Sequence, residues 1–184
     1  MKRLSLIILL VSVVLVANGQ KYMTKNGFIS FFGHTPMEDI KADNNQVSSI
    51  LDISTGGLVF QALIKSFHFE RALMEEHFNE NYMESEKFPK AAFNGKITNI
   101  SSVDFKKNGT YDVTVEGDLT IHDVTNKITA KGTIEVISDG INASSKFSVV
   151  PEDYKINIPG VVRDKIAKSL EITVSMKYTP LQTK

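Results

Sequence analysis

The chain has 184 residues, with 21 basic and 21 acidic side chains, no Cys and no Trp. Without Cys it has neither disulfides nor a thiol nucleophile, and a lipoprotein-type lipid attachment is excluded. The balanced charge, with no basic block, argues against nucleic acid as a partner.

Lys2 and Arg3 precede Leu4–Val16, an uncharged and almost wholly apolar run, and Ala17-Asn18-Gly19 supplies small residues after it. This pattern predicts a secretory signal peptide over residues 1–19, cut between Gly19 and Gln20. The run is shorter than the ~20 residues a spanning helix needs, so no membrane span is expected after cleavage. The expected mature chain, residues 20–184, is long enough for one domain with a core of its own, placed in the periplasm or outside the cell.

Asn26-Gly27 reads as a turn before a strand at Phe28–Gly33, and the polar stretch Glu38–Asn45 reads as a loop. Val47–Ile53 and Leu58–Ile64 flank Ser54-Thr55-Gly56-Gly57, which predicts a hairpin with Phe60, Ala62 and Ile64 on one face. The period then changes. Leu73, Met74, His77 and Phe78 fall at helical spacing and predict a short helix over Arg71–Asn81. In the strand predicted at Ala91–Ile100, Phe93, Gly95 and Ile97 share a face. Lys107-Asn108-Gly109 makes the next turn.

Tyr111–Ile121 carries the clearest pattern: Tyr111, Val113, Val115, Gly117, Leu119 and Ile121 alternate with Asp112, Thr114, Glu116, Asp118 and Thr120. Successive strand side chains point to opposite faces, so one face is apolar and one is wet. A corner is expected at His122–Asn126. The alternation returns in Ile128–Val136 and, after the hairpin signal Asp139-Gly140, in Ile141–Val149. A second short helix is expected at Val161–Ser169, and Ile172, Val174, Met176 and Tyr178 mark a last strand.

About eight strands joined mostly by short turns are antiparallel. Such a sheet hides its apolar face by stacking or by closing into a barrel, and closure also removes the open edges. The fold expected is all-β, about eight antiparallel strands with two short helices, stacked as a sandwich or closed as an eight-stranded barrel. Its inward positions include Gly95, Gly117, Ala130, Gly132, Ala143 and Ser145. Small residues there either fit a barrel's taper or leave a hollow.

Three blocks carry a family resemblance. Gly117-Asp118-Leu119-Thr120-Ile121-His122-Asp123-Val124-Thr125 resembles the central signature of the YceI-like family. Glu76-His77-Phe78 followed by Phe88-Pro89-Lys90-Ala91-Ala92-Phe93 resembles its second block. Asp153-Tyr154-Lys155-Ile156 and Val174–Tyr178 fit its C-terminal part. The likeness runs from about Gly27 to Tyr178. Asp123 stands where the family usually has Gly, and a Pro often found near Lys127 is missing. The resemblance implies an exported lipocalin-like barrel that encloses a long polyisoprenoid, such as a quinone tail.

The ligand-facing residues expected from alternation and from that likeness are Phe60, Ile64, Phe93, Ile97, Val113, Val115, Ile134, Phe147, Val174 and Met176. His77 and His122 are candidates for a hydrogen bond to a head group at the mouth; the alternatives are that His77 packs or caps the helix and His122 shapes the corner. No cofactor is expected. His34, His68, His77 and His122 lack the spacing of a metal site, and no P-loop, dinucleotide or nucleophile-elbow motif occurs, so neither a metal nor a catalytic residue is assigned. Phe67, Phe69, Leu73, Met74, Phe78, Tyr82, Met83 and Phe88 crowd the excursion between Arg71 and Phe93, either plugging one end of the barrel or gating a ligand. Two other functions stay open: an exported interaction module with a solid barrel, which a homodimer would also fit, and a hydrolase or isomerase using His77 or His122.

Overall fold

A computed structural model describes residues 21–181. The predicted leader and its cleavage point lie outside the described residues.

Nine strands form one sheet: β1 Lys21–His34, β2 Asp39–Asp52, β3 Gly57–Leu63, β4 His68–Phe69, β5 Lys90–Ile97, β6 Gly109–Ile121, β7 Val124–Ile137, β8 Gly140–Val149 and β9 Leu170–Pro180. Their order is β1-β9-β8-β7-β6-β5-β3-β2-β4, and β1 also pairs with β2. The β1–β2 ladder closes eight strands into an antiparallel barrel. The ninth, β4, is a two-residue addition on Ala42 and Asp43 of β2. Of the sandwich and barrel that the alternation allows, the chain forms the closed eight-stranded barrel that the family resemblance implies.

Several local expectations need correction. Asn26-Gly27 is not a turn. It lies within β1 as a bulge, where the register against β2 shifts on both sides of Gly27. A Cβ at Gly27 would collide with Met176 Sδ, so the bulge is where β1 comes close to a core side chain. Glu38–Asn45 is not a loop either, because β2 starts at Asp39. Its polar sequence hides two inward residues, Ala42 and Asn44, the latter 0% exposed. Asn44 Nδ2 donates to Leu63 O at 3.0 Å and its Oδ1 accepts from Gln46 N at 2.8 Å, which offsets the cost of burying an amide.

The helix expected over Arg71–Asn81 is α-helical only at Ala72–His77 (α1) and continues as a π turn at Phe78–Tyr82. The second helix, expected at Val161–Ser169, is a 3₁₀ segment at Gly160–Lys165. Val161-Val162 is β-branched, and such side chains lose rotamer freedom in a helix. The His122–Asn126 corner shrinks to a two-residue turn, since Val124 already pairs with Ile121. His122 and Asp123 have φ of 50° and 59°, the signs a type I′ hairpin requires at both central residues.

The two ends of the barrel differ. The β2–β3 and β7–β8 turns and the 98–108 connection lie at one end, where Ile53, Ile100 and Phe105 pack on the core. At the other end two segments run across the opening. One passes from β4 through α1 and the π turn to β5. The other, residues 150–169, leads from β8 to β9.

Candidate functional site

The barrel is not solid. An outer chamber of about 500 Å³ opens at the end crossed by the two segments, and an inner chamber of about 110 Å³ lies deeper. Both share Ile29, Ala91, Leu119 and Phe147, which form a collar between them. The lined part of β6 runs from Val113 to Ile121, about 20 Å along the axis at ~3.3 Å per residue and a tilt near 40°.

The inner chamber is walled by residues from all eight barrel strands. Of the expected ligand-facing residues, Phe60, Phe93, Ile97, Val113, Val115, Ile134, Val174 and Met176 line it, Phe147 lies on the collar, and Ile64 lines the outer chamber. Small residues make the room. Gly95 and Gly117 face each other across β5 and β6, and a Cβ on either would strike the Phe93 ring, at 2.5 and 2.7 Å from Cζ. The ring therefore lies over a glycine pair and meets Phe60 edge-on, 5.8 Å between centroids.

The few hydroxyls around the inner chamber already have partners. Ser49 Oγ donates to Val59 O at 2.8 Å, so its own oxygen accepts from the Tyr178 hydroxyl at 2.6 Å. Burial pushes the Tyr178 hydroxyl well above the usual phenol range, with the Ser49 bond opposing that shift. Ser145 Oγ donates to Lys131 O at 2.7 Å, and Thr133 Oγ1 and Ser144 Oγ share a bond of 2.8 Å. A polar head has little to bind there, whereas an apolar chain loses nothing by entering.

The outer chamber differs at its rim. Phe31, Phe67, Phe69 and Phe78 form an aromatic cluster with centroids 5.0–5.9 Å apart, which fixes the π turn against the barrel. Its only charged or titratable lining groups, apart from the Tyr82 hydroxyl, are Glu38, Arg71, His77 and Lys165. Arg71 Nη2 donates to Glu38 Oε1 at 2.5 Å. His77 and Lys165 lie on opposite crossing segments, each able to donate to an oxygen-bearing group. Of the residues that crowd the α1 excursion, Phe67, Phe69, Leu73, Met74, Phe78, Tyr82 and Met83 line the chamber. Phe88 instead packs its ring on His122, 4.3 Å away.

His122 lines neither chamber. Its side chain is 13% exposed and its Nε2 lies 3.2 Å from Glu84 Oε2. The ring packs on Phe88 and faces Glu84, so it ties the β6–β7 turn to residues 84–88. His68 Nδ1 lies 3.6 Å from Glu75 Oε2 and His34 Nδ1 2.6 Å from Asp39 Oδ1. No three His, Asp or Glu converge to hold a metal among the described residues. Alternation alone left out the wall built by residues 156–170, where Ile156, Ile158, Val162, Ile166 and Leu170 line the outer chamber. The i, i+2 spacing of Ile156 and Ile158 and the i, i+4 spacing of Val162 and Ile166 were the available signals.

A model of the YceI-like domain family matches residues 22–178. The chain belongs to the YceI-like family. The match takes in most of β1, which the local motifs had placed only from Gly27. Among solved structures the chain is similar to a polyisoprenoid binding domain from Saccharophagus degradans implicated in plant cell wall breakdown, at 11% identity and TM-score 0.76, covering 88% of this chain and 98% of that one. It is also similar to BcnA of Burkholderia cenocepacia, at 13% identity and TM-score 0.68, covering 83% and 96%. A Campylobacter jejuni YceI protein aligns over the full length of both chains at 14% identity and TM-score 0.51. At these identities the likeness carries the fold. No curated protein matches the sequence.

Proposed function

We propose that this YceI-like protein is an exported, non-enzymatic binder and carrier of a long apolar lipid, a polyisoprenoid or isoprenoid quinone, acting in the periplasm or outside the cell. The observation that carries this reading is the pair of apolar chambers in line along the barrel axis, the outer one within the 300–1,000 Å³ range of ligand sites. Support also comes from the family and from the polyisoprenoid-binding neighbour. The placement of polar groups gives the ligand a direction. The tail passes the collar into the inner chamber, and the head stays at the rim beside His77, Lys165 and the Arg71–Glu38 pair. Each methylene moved from water into such a cavity gains ~0.8 kcal/mol, so a long chain needs few polar contacts.

The test is the organic extract of protein purified from the exported fraction, identified by mass, together with its native mass spectrum. A co-purifying prenyl lipid supports the reading. An empty protein that also takes up no prenyl alcohol or quinone in solution sinks it. N-terminal sequencing of the exported protein should begin at Gln20.

A further inference from the structure

Among the described residues, the large apolar side chains most open to water are Val161, Met37 and Leu73, at 93%, 65% and 61% exposed. One lines the outer chamber, and the other two are chain neighbours of residues that do. Leu73 lines it directly, Met37 precedes the lining residue Glu38, and Val161 precedes the lining residue Val162. Glu38 is bound to Arg71, which ties the Met37 turn to the start of α1. Gly33, at the end of β1, abuts Leu170 and Ala167, which ties the same turn to the 155–168 segment. The remaining exposed large apolar side chains, Phe32, Ile50, Val59 and Leu63, are far less open and lie on strands of the barrel wall.

Scattered exposed apolar residues need no explanation, but a set gathered at one opening does. Charge separates the rim into two sides. Residues 70–80 carry Glu70, Glu75, Glu76 and Glu80 against Arg71. The other crossing segment, residues 150–169, carries Lys155, Arg163, Lys165 and Lys168 against Glu152, Asp153 and Asp164. Arg163 is occupied by Glu152 at 2.7 Å, while Lys155, Lys165 and Lys168 form no ion pair with a described residue. Val161 therefore projects among three lysines free of described ion partners, next to Gly160, which has no neighbour within 4 Å of a built Cβ.

We infer that residues 155–168 dock the barrel on an anionic bilayer surface, Val161 entering the interface and the lysines meeting lipid phosphates, so that the chamber mouth loads against the membrane. Basic side chains beside an apolar tip are the combination that binds such surfaces. The acidic α1 side, Leu73 included, is repelled and faces away, which tilts the barrel onto this segment and leaves Val161 as the apolar contact. The inference rests on the lipid-carrier reading in one respect: a cargo of this kind crosses water at ~0.8 kcal/mol per methylene, so a mouth pressed to the bilayer spares that crossing.

The experiment is co-sedimentation with phosphatidylglycerol-containing and phosphatidylcholine-only vesicles, using the chain from Gln20 onward, whose barrel closes with its own strands. The protein should favour the anionic vesicles and release with salt. Lys155→Gln/Lys168→Gln should weaken binding by about thirtyfold, at ~1 kcal/mol per lysine near the surface, and Val161→Glu by about tenfold or more. None of these three residues lines a chamber, so the extracted lipid should be unchanged. Equal sedimentation of native protein and both variants, or none at all, overturns the inference. So does a concentration-dependent dimer lost in Val161→Glu, which would give the segment to a second copy. A protein that holds prenyl lipid yet ignores vesicles sinks only the docking. One that docks but yields no lipid sinks only the carrier reading.

Discussion

Filling the collar should shorten the chain the protein accepts. Ala91 is half-buried and faces both chambers, so Ala91→Phe puts a ring across the opening between Leu119 and Phe147. The space behind it is about 110 Å³. At ~30 Å³ per heavy atom this is roughly four atoms, on the order of one isoprene unit. At ~0.8 kcal/mol per buried carbon, closing it forfeits up to about 3 kcal/mol, roughly a hundredfold in affinity. The loss falls only on chains long enough to pass the collar. The assay is a titration with prenyl alcohols of increasing length, followed by intrinsic Tyr fluorescence or calorimetry. Native affinity should rise with length, level at the collar and rise again, and the variant should lose the second rise while short chains bind as before. A variant whose length profile matches the native one refutes the two-chamber reasoning. Because the ring enters a void, the thermal midpoint should change little.

Other expectations follow from single contacts. Gly117→Ala places a methyl 2.5 Å from Gly95 Cα and 2.6 Å from Asn94 O, and overpacking against backbone should cost about 1–3 kcal/mol in denaturant melts. Asp123→Gly should be neutral or stabilising by up to about 1 kcal/mol, since φ of 59° is free for Gly; clear destabilisation would show that Asp123 makes a contact beyond the turn. Tyr178 has its hydroxyl titration raised in the folded state. Its stabilisation is therefore full below the unfolded value of about 10 and is lost as pH rises beyond it. Alkaline melts of the native protein should fall more steeply above that pH than those of Tyr178→Phe, which itself costs about 1 kcal/mol at neutral pH. His77→Ala should weaken a ligand with an oxygen-bearing head, whereas His122→Ala should leave ligand affinity unchanged and lower stability through the Phe88 contact.

Alternation served well where a strand has one apolar and one wet face. The β6 face from Val113 to Ile121 reads directly from sequence, and the same holds for β7, β8 and β9, because the side-chain period of two leaves one choice of inward set. It failed where a strand takes its identity from its neighbours. Asp39–Asn45 has little apolar content, yet β1 pairs along it, and the amide of Asn44 does the work a hydrophobic side chain would do elsewhere. The outer chamber was the least legible part. Its wall includes residues 156–169, irregular or 3₁₀ over much of their length, where each periodic signal is a single pair and none is sustained. The collar is a property of four strands at once: Ile29, Ala91, Leu119 and Phe147 come from β1, β5, β6 and β8, and no local pattern joins them.

The closing ladder puts Phe31 opposite Ile172 on one side and Ala42 on the other. β1, which ends at His34, thus waits for β9, which begins only at Leu170. Until that final ribbon is delivered, the sheet has two raw edges and a hollow open to solvent along its length. Pairings between distant parts of a chain form slowly, so a nascent copy stays open until β9 is made, and trimming β9 should leave an aggregating polypeptide rather than a smaller container.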